Sequence, residues 1–184
     1  MMRKLVMGCL CVAAAACGGG EENKQVAAEA PDTLPAGTWK SAFEVKSFAS
    51  ADKAPTPALK AKQGDKEEAS NCVGEADRAK PSPALFAGSG YQCTYANSYV
   101  RGGMINATLN CTRPELKGPI NMTVSGSFDA DSFEATVETA SFLPGDGDFK
   151  MTRKVEGELT PGACQAAAPD AKVPTVGQAG RKGG

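Results

Sequence analysis

Apolar and polar residues alternate with a period of two along five stretches between residues 91 and 159, the mark of half-buried β-strands. In 91–100 the inner positions are Tyr91, Cys93, Tyr95, Asn97 and Tyr99. In 104–112 they are Ile105, Ala107, Leu109 and Cys111, and Asn106, Thr108, Asn110 and Thr112 turn to water. Parity switches in 121–128, where Met122, Val124, Gly126 and Phe128 face inward. Phe133, Ala135 and Val137 continue that face, and Phe149, Met151, Val155 and Leu159 complete it, with Arg153 in an inward place of the same run. Trp39, Phe43 and Val45 supply an earlier, sixth strand. None of the twelve prolines falls inside these runs, as ladder donors require.

Parity also constrains the turns. Residues 91–100 and 104–112 both bury odd positions, so an odd loop, Arg101-Gly102-Gly103, joins them, with Gly103 at the positive-φ place. This register sets Tyr99 opposite Ile105, Tyr95 opposite Leu109 and Cys93 opposite Cys111. It favours a Cys93–Cys111 disulfide and leaves Cys72–Cys164, while the two other connectivities of four cysteines stay open. In the next hairpin the four residues 129–132 set Phe128 against Phe133. Phe142 breaks its strand's parity and suggests a bulge near Ala140. One or two helical turns are expected in 74–80, stopped by Pro81 and Pro83. The expected fold is therefore all-β: an antiparallel meander of about six to seven strands forming a curved sheet or partly closed barrel, with one short helix.

All eleven aromatic residues lie between Trp39 and Phe149, which locates the folded part, since aromatics dominate core burial. The expected organisation is a signal peptide at 1–16, a lipidated flexible tether at 17–36, a disulfide-stabilised β domain at 37–164 and a disordered tail at 165–184. Within the domain, the Pro-, Ala- and Lys-rich stretch 50–69 reads as a flexible insertion.

The address comes from the N-terminus. Arg3 and Lys4, the apolar stretch 5–12 and four alanines follow the order of a secretory signal, and the apolar run is too short to span a bilayer. Ala14-Ala15-Ala16-Cys17 resembles a bacterial lipobox, with Ala14 where leucine is usual, and implies acylation at Cys17. Gly18 after that cysteine is similar to lipoproteins sorted to the outer membrane. The implied location is the bacterial outer membrane, lipid-anchored, with the domain facing the periplasm. Cys9 and Cys11 leave with the signal, so Cys72, Cys93, Cys111 and Cys164 remain, an even number suited to two disulfides in an oxidising compartment.

Gly37-Thr38-Trp39 opens the domain, a short helical segment follows Cys72, Cys93 and Cys111 bracket a glycine-centred hairpin, and Gly162-Ala163-Cys164 closes it. Over residues 37–164 this pattern resembles domain-of-unknown-function family thirty-six seventeen, small exported proteins of proteobacteria. The resemblance implies export and structural cysteines, and carries no activity.

Composition removes much chemistry. The chain has no histidine, which excludes Ser-His-Asp and Cys-His relays and histidine metal ligands. With 20 basic and 21 acidic residues there is no electrostatic footprint for nucleic acid. Ser50-Ala51-Asp52-Lys53 matches a Ser-x-x-Lys nucleophile pattern without its partner motifs. Asp129 with Asp131, and Asp146 with Asp148, read as turn formers. No catalytic residue, metal site or cofactor is expected. The expected function is a non-enzymatic, lipid-anchored envelope protein that binds a small hydrophobic ligand or an envelope protein. Its ligand face would be Trp39, Tyr91, Tyr95 and Tyr99, with Arg153 meeting an anionic group. The alternative is a structural or assembly component acting through its outer surface, without a ligand cavity.

Overall fold

A computed structural model describes residues 30–53, 56–160 and 164. The strands are β1 (Gly37–Ser50), β2 (Lys66–Val73), β3 (Gln92–Arg101), β4 (Met104–Arg113), β5 (Leu116–Phe128), β6 (Ser132–Ser141) and β7 (Phe149–Thr160). They form one seven-stranded antiparallel sheet in the order β2-β1-β7-β6-β5-β4-β3, curled into a half-barrel. The run from β3 to β7 is a meander, and β1 returns to pair with β7, leaving β2 and β3 as the two edges. Alternation works as expected along most of it: Ile105, Leu109, Met122, Val124, Val137, Phe149 and Val155 are all buried on the inner face. Phe133 lies opposite Phe128 and also opposite Gly157, where its ring occupies the space a Cβ would need.

The hairpin β3–β4 reaches the expected cysteine pairing by a different route. Its loop is two residues long, Arg101 facing Met104, with Gly102 at φ 59° and Gly103 at φ 74°. Two consecutive positive φ values match the right-handed twist of a tight hairpin, so the shorter turn wins. A bulge between Tyr95 and Asn97 then restores the register, setting Tyr95 against Leu109 and Cys93 against Cys111. The cost falls on Tyr99: it pairs with Asn106 rather than Ile105, and it faces outward, 46% exposed, while Val100 turns in. Cys93–Cys111 and Cys72–Cys164 are both disulfide-bonded, with Cα separations of 4.1 and 5.6 Å. Each edge strand thus carries one bridge, Cys72 on β2 and Cys93 on β3.

Four further features differ from the sequence expectations. Strand β2 takes up Lys66 to Ala69, the end of the stretch read as a flexible insertion. Its inward places hold Glu67, Ala69, Asn71 and the buried Val73, too little apolar alternation to announce it; backbone pairing with β1 makes the strand. Upstream of β2, Gly64 N donates to Val45 O, and Ala58 N donates to Gly147 O. Asp52 Oδ2 accepts from the Gly147 and Asp148 amides, so the Ser-x-x-Lys stretch is part of a turn. There is no register shift at Ala140; β6 keeps its parity with buried Thr139 and Ser141, and Phe142 lies beyond its end, 54% exposed. Residues 30–36, assigned to the tether, pack on the sheet: Leu34 is fully buried and Asp32 O accepts from Gly102 N. Cys17, the signal stretch and the 165–184 tail lie outside the described residues.

The connection from β2 to β3 crosses the concave side. After a 3-10 turn at Glu75–Asp77, the helix α1 (Ala84–Ala87) begins just after Pro83. The 3-10 turn lies within the expected 74–80 and ends ahead of Pro81; α1 is an additional turn that Pro83 precedes, because its fixed φ suits a helix start and its missing N–H would be unpaired there anyway. Leu85, Phe86 and Ala87 are completely buried, and the Phe86 ring meets Phe133 edge-on at 5.6 Å. Ser41 Oγ of β1 donates to Leu85 O of the helix. The half-barrel is closed by its own chain.

Candidate functional site

The aromatic inner face is used internally. Trp39 is fully buried, its indole Nε1 donates to Pro35 O at 2.9 Å, and its ring packs 5.5 Å from Phe133. Tyr95 donates its hydroxyl to Pro81 O at 2.8 Å, anchoring the connection that carries α1. Burial holds the Tyr95 hydroxyl well above its ordinary pKa. Tyr99 faces solvent. Of the five residues expected to form a ligand face, Trp39, Tyr95 and Tyr99 do not share an open site, and the filler is α1.

Tyr91 and Arg153 do come together, at the end of the half-barrel where β1, β4 and β7 meet the loop before β2. There a cavity of about 190 Å³ is lined by Phe43 and Val45 of β1, Leu59 of the loop, Tyr91, Arg113 at the end of β4, and Met151 and Arg153 of β7. Lys60, Ala61, Asp65, Lys66 and Glu67 complete the wall. One side is apolar and the other is charged.

Arg153 is 3% exposed. Its Nη2 donates to Ala87 O at 2.8 Å, and its guanidinium lies 5.2 Å from the Phe43 ring centroid and 5.5 Å from that of Tyr91. Its Nε has no hydrogen-bond partner, and no carboxylate oxygen among the described residues lies within ion-pair distance of it. Burial pulls its pKa below the usual arginine value, against the opposing pull of Tyr91 and Glu67. Glu67 is held away by another bond: its Oε1 accepts from Ser89 N. Gly88, at φ 74°, adjoins both groups: a Cβ there would lie 3.1 Å from Glu67 Oε1 and 3.2 Å from Arg153 Nη1. The Tyr91 hydroxyl is likewise buried and unpartnered. Arg113 stacks over the face of the Tyr91 ring at 4.5 Å, interacts electrostatically with it, and gives its Nε–H to Glu115.

Arg113 was not selected from the sequence, yet the signal was there. It continues the odd parity of Ile105, Ala107, Leu109 and Cys111, the same argument that turns Arg153 inward. Lys60, Lys66 and Glu67 had no comparable signal, because their stretch has no apolar period. A second, wider depression of about 860 Å³ lies over the sheet and is lined by Lys40, Glu68, Glu134 and Glu156 among others. Glu134 and Glu156 are ion-paired with Lys154 on the surface, and nothing buried there lacks a partner.

The class this geometry defines is a disulfide-braced half-barrel, filled by its own connection and carrying a buried arginine at its mouth. The chain belongs to the family described as "Protein of unknown function (DUF3617)", which matches residues 34–164. The match begins at Leu34, the fully buried residue ahead of β1, and ends at Cys164, the partner of Cys72. No curated protein matches the chain, and no solved structure matches it.

Proposed function

We propose that this chain is an exported, lipid-anchored protein of the bacterial envelope, whose domain is a non-enzymatic binding module contacting its ligand at the mouth of the half-barrel. The observation that carries export is the pairing of all four cysteines of the domain, which is characteristic of an oxidising compartment. The signal-like N-terminus and Cys17 supply the anchor, and Gly18 supports the outer membrane with the domain in the periplasm. The absence of histidine supports a binding role over catalysis. The cavity beside Tyr91 and Arg153 supports the mouth, rather than the filled aromatic interior, as the place of contact.

A second reading rests on the same filled interior. Trp39, Leu85 and Phe86 are fully buried, so a protein acting only through its outer surface as an assembly component is served equally well by this core. The anchor is tested by expressing the full chain in a bacterium with an alkyne fatty acid. The wild type is labelled and fractionates with the outer membrane, whereas Cys17→Ser is unlabelled and released. A Cys17→Ser protein that still carries label overturns the anchor.

A further inference from the structure

We propose that the mouth cavity is a site for a short-chain monocarboxylate, its carboxylate on the Arg153 Nε–H and the Tyr91 hydroxyl and its alkyl chain against Phe43, Val45, Leu59 and Met151. The inference rests on the mouth being the binding site and goes on to name the ligand class. Taking a guanidinium out of water is expensive unless a counter-charge and hydrogen bonds replace the solvent. Arg153 has made that move at 3% exposure with one neutral carbonyl as oxygen partner and two aromatic faces as neighbours. What its guanidinium lacks is a directly paired anion, since Glu67 acts on it only from a distance. The obvious internal candidate, Glu67, accepts from the Ser89 amide at its Oε1 and makes no ion pair with Arg153.

A buried polar atom without a partner is uncommon enough to require an explanation, and two of the five such atoms among the described residues are Arg153 Nε and Tyr91 Oη, on neighbouring side chains of one cavity. Both are donors, and a carboxylate offers two acceptor oxygens. On that wall Lys66 is ion-paired with Glu44 and Arg113 with Glu115, which leaves Lys60 and the buried Arg153 as the cations with no ion pair among the described residues. The opposite wall is apolar, which selects an anion with a hydrocarbon tail over inorganic phosphate. The volume, about 190 Å³, is below the roughly 300–1,000 Å³ of sites for drug-sized ligands, so the tail is short.

The test is isothermal titration of the full-length lipidated protein in detergent with sodium hexanoate, 1-hexanol and inorganic phosphate at constant ionic strength. Hexanoate binds saturably and at least about tenfold tighter than hexanol, because a hydrogen bond to a charged group is worth that much. Arg153→Met keeps the length and apolar stem of the side chain and abolishes the preference for hexanoate over hexanol. Tyr91→Phe removes only an unpartnered hydroxyl and weakens hexanoate about tenfold without changing hexanol, which keeps the site testable if Arg153→Met does not fold. Equal binding of hexanol and hexanoate overturns the carboxylate assignment and leaves the mouth as a binding site. Phosphate binding without hexanoate binding overturns it in the same way. Absence of binding by all three overturns both the ligand class and the mouth itself.

Discussion

Single residues in this chain are often placed by what surrounds them, and Tyr95 shows how. Its ring is inward by parity, but its hydroxyl reaches Pro81 O and so fastens the edge strand to the connection that fills the barrel. Tyr95→Phe leaves that carbonyl without its donor and should lower stability by about 1 kcal/mol at neutral pH, read from urea unfolding. The pH dependence has a definite sign. The folded-state pKa lies above the ordinary value of 10.0, so the stability contribution is complete below pH 10 and is lost as pH rises past it. The difference between wild type and Tyr95→Phe should therefore shrink between neutral and strongly alkaline solution, and a constant difference would contradict the burial of the hydroxyl. Arg153 shows the other side of residue-scale reading. Alternation was enough to turn it inward, but not to say that its Nε would lack a partner.

Elements behave as units whose turns trade against their bulges. The β3–β4 hairpin uses a two-residue glycine turn and absorbs the resulting one-residue offset between Tyr95 and Asn97. The cysteines end up opposite each other although the loop is shorter than parity alone required. Both glycines are in the left-handed region, yet their surroundings differ. A Cβ at Gly102 meets nothing within 4 Å, whereas at Gly103 it would lie 2.8 Å from the Ala30 Cβ. Gly102→Ala should cost about 1–2 kcal/mol from backbone strain, and Gly103→Ala more, since residues 30–36 must also give way. Denaturant midpoints of the two variants decide the order. Strand β2 is the complementary case: Lys66, Glu67 and Glu68 carry no apolar pattern, and only the presence of β1 beside them makes a strand.

The whole molecule is an open sheet with two edges, and its covalent bridges sit where the sheet ends. Thr38 is flanked by Cys72 on one side and Thr160 on the other, so the bridge to Cys164 spans the start of β1 and ties the β2 edge to the chain's return. The second bridge joins the β3 edge to β4. In the loop-entropy account, closing 92 residues is worth about 4–5 kcal/mol and closing 18 about 3. Replacing Cys72 and Cys164 together by serine should thus destabilise the domain more than replacing Cys93 and Cys111, measured as two urea transitions under identical conditions. A reversed order would mean that the β3 edge depends on its bridge for native packing as well as for chain entropy.

How much of this was legible in the chain follows from the range of the forces involved. Alternation is a local property, set by side chains pointing to opposite faces of a strand, so it was enough for the all-β class and the inner face of β4 to β7, whereas the opposition of Cys93 and Cys111 also took a bulge that parity does not show. The same local rule pointed to Arg153 and, carried two residues further, to Arg113. The tertiary structure alone decided that β1 returns to β7, that β2 forms an edge, and that α1 occupies the concave side where an aromatic ligand face had been expected. Those outcomes depend on contacts between residues distant in sequence, such as Ser41 with Leu85 and Arg153 with Ala87. The local pattern contains the tendency of each segment to bury one face; the folded chain determines which partner covers it.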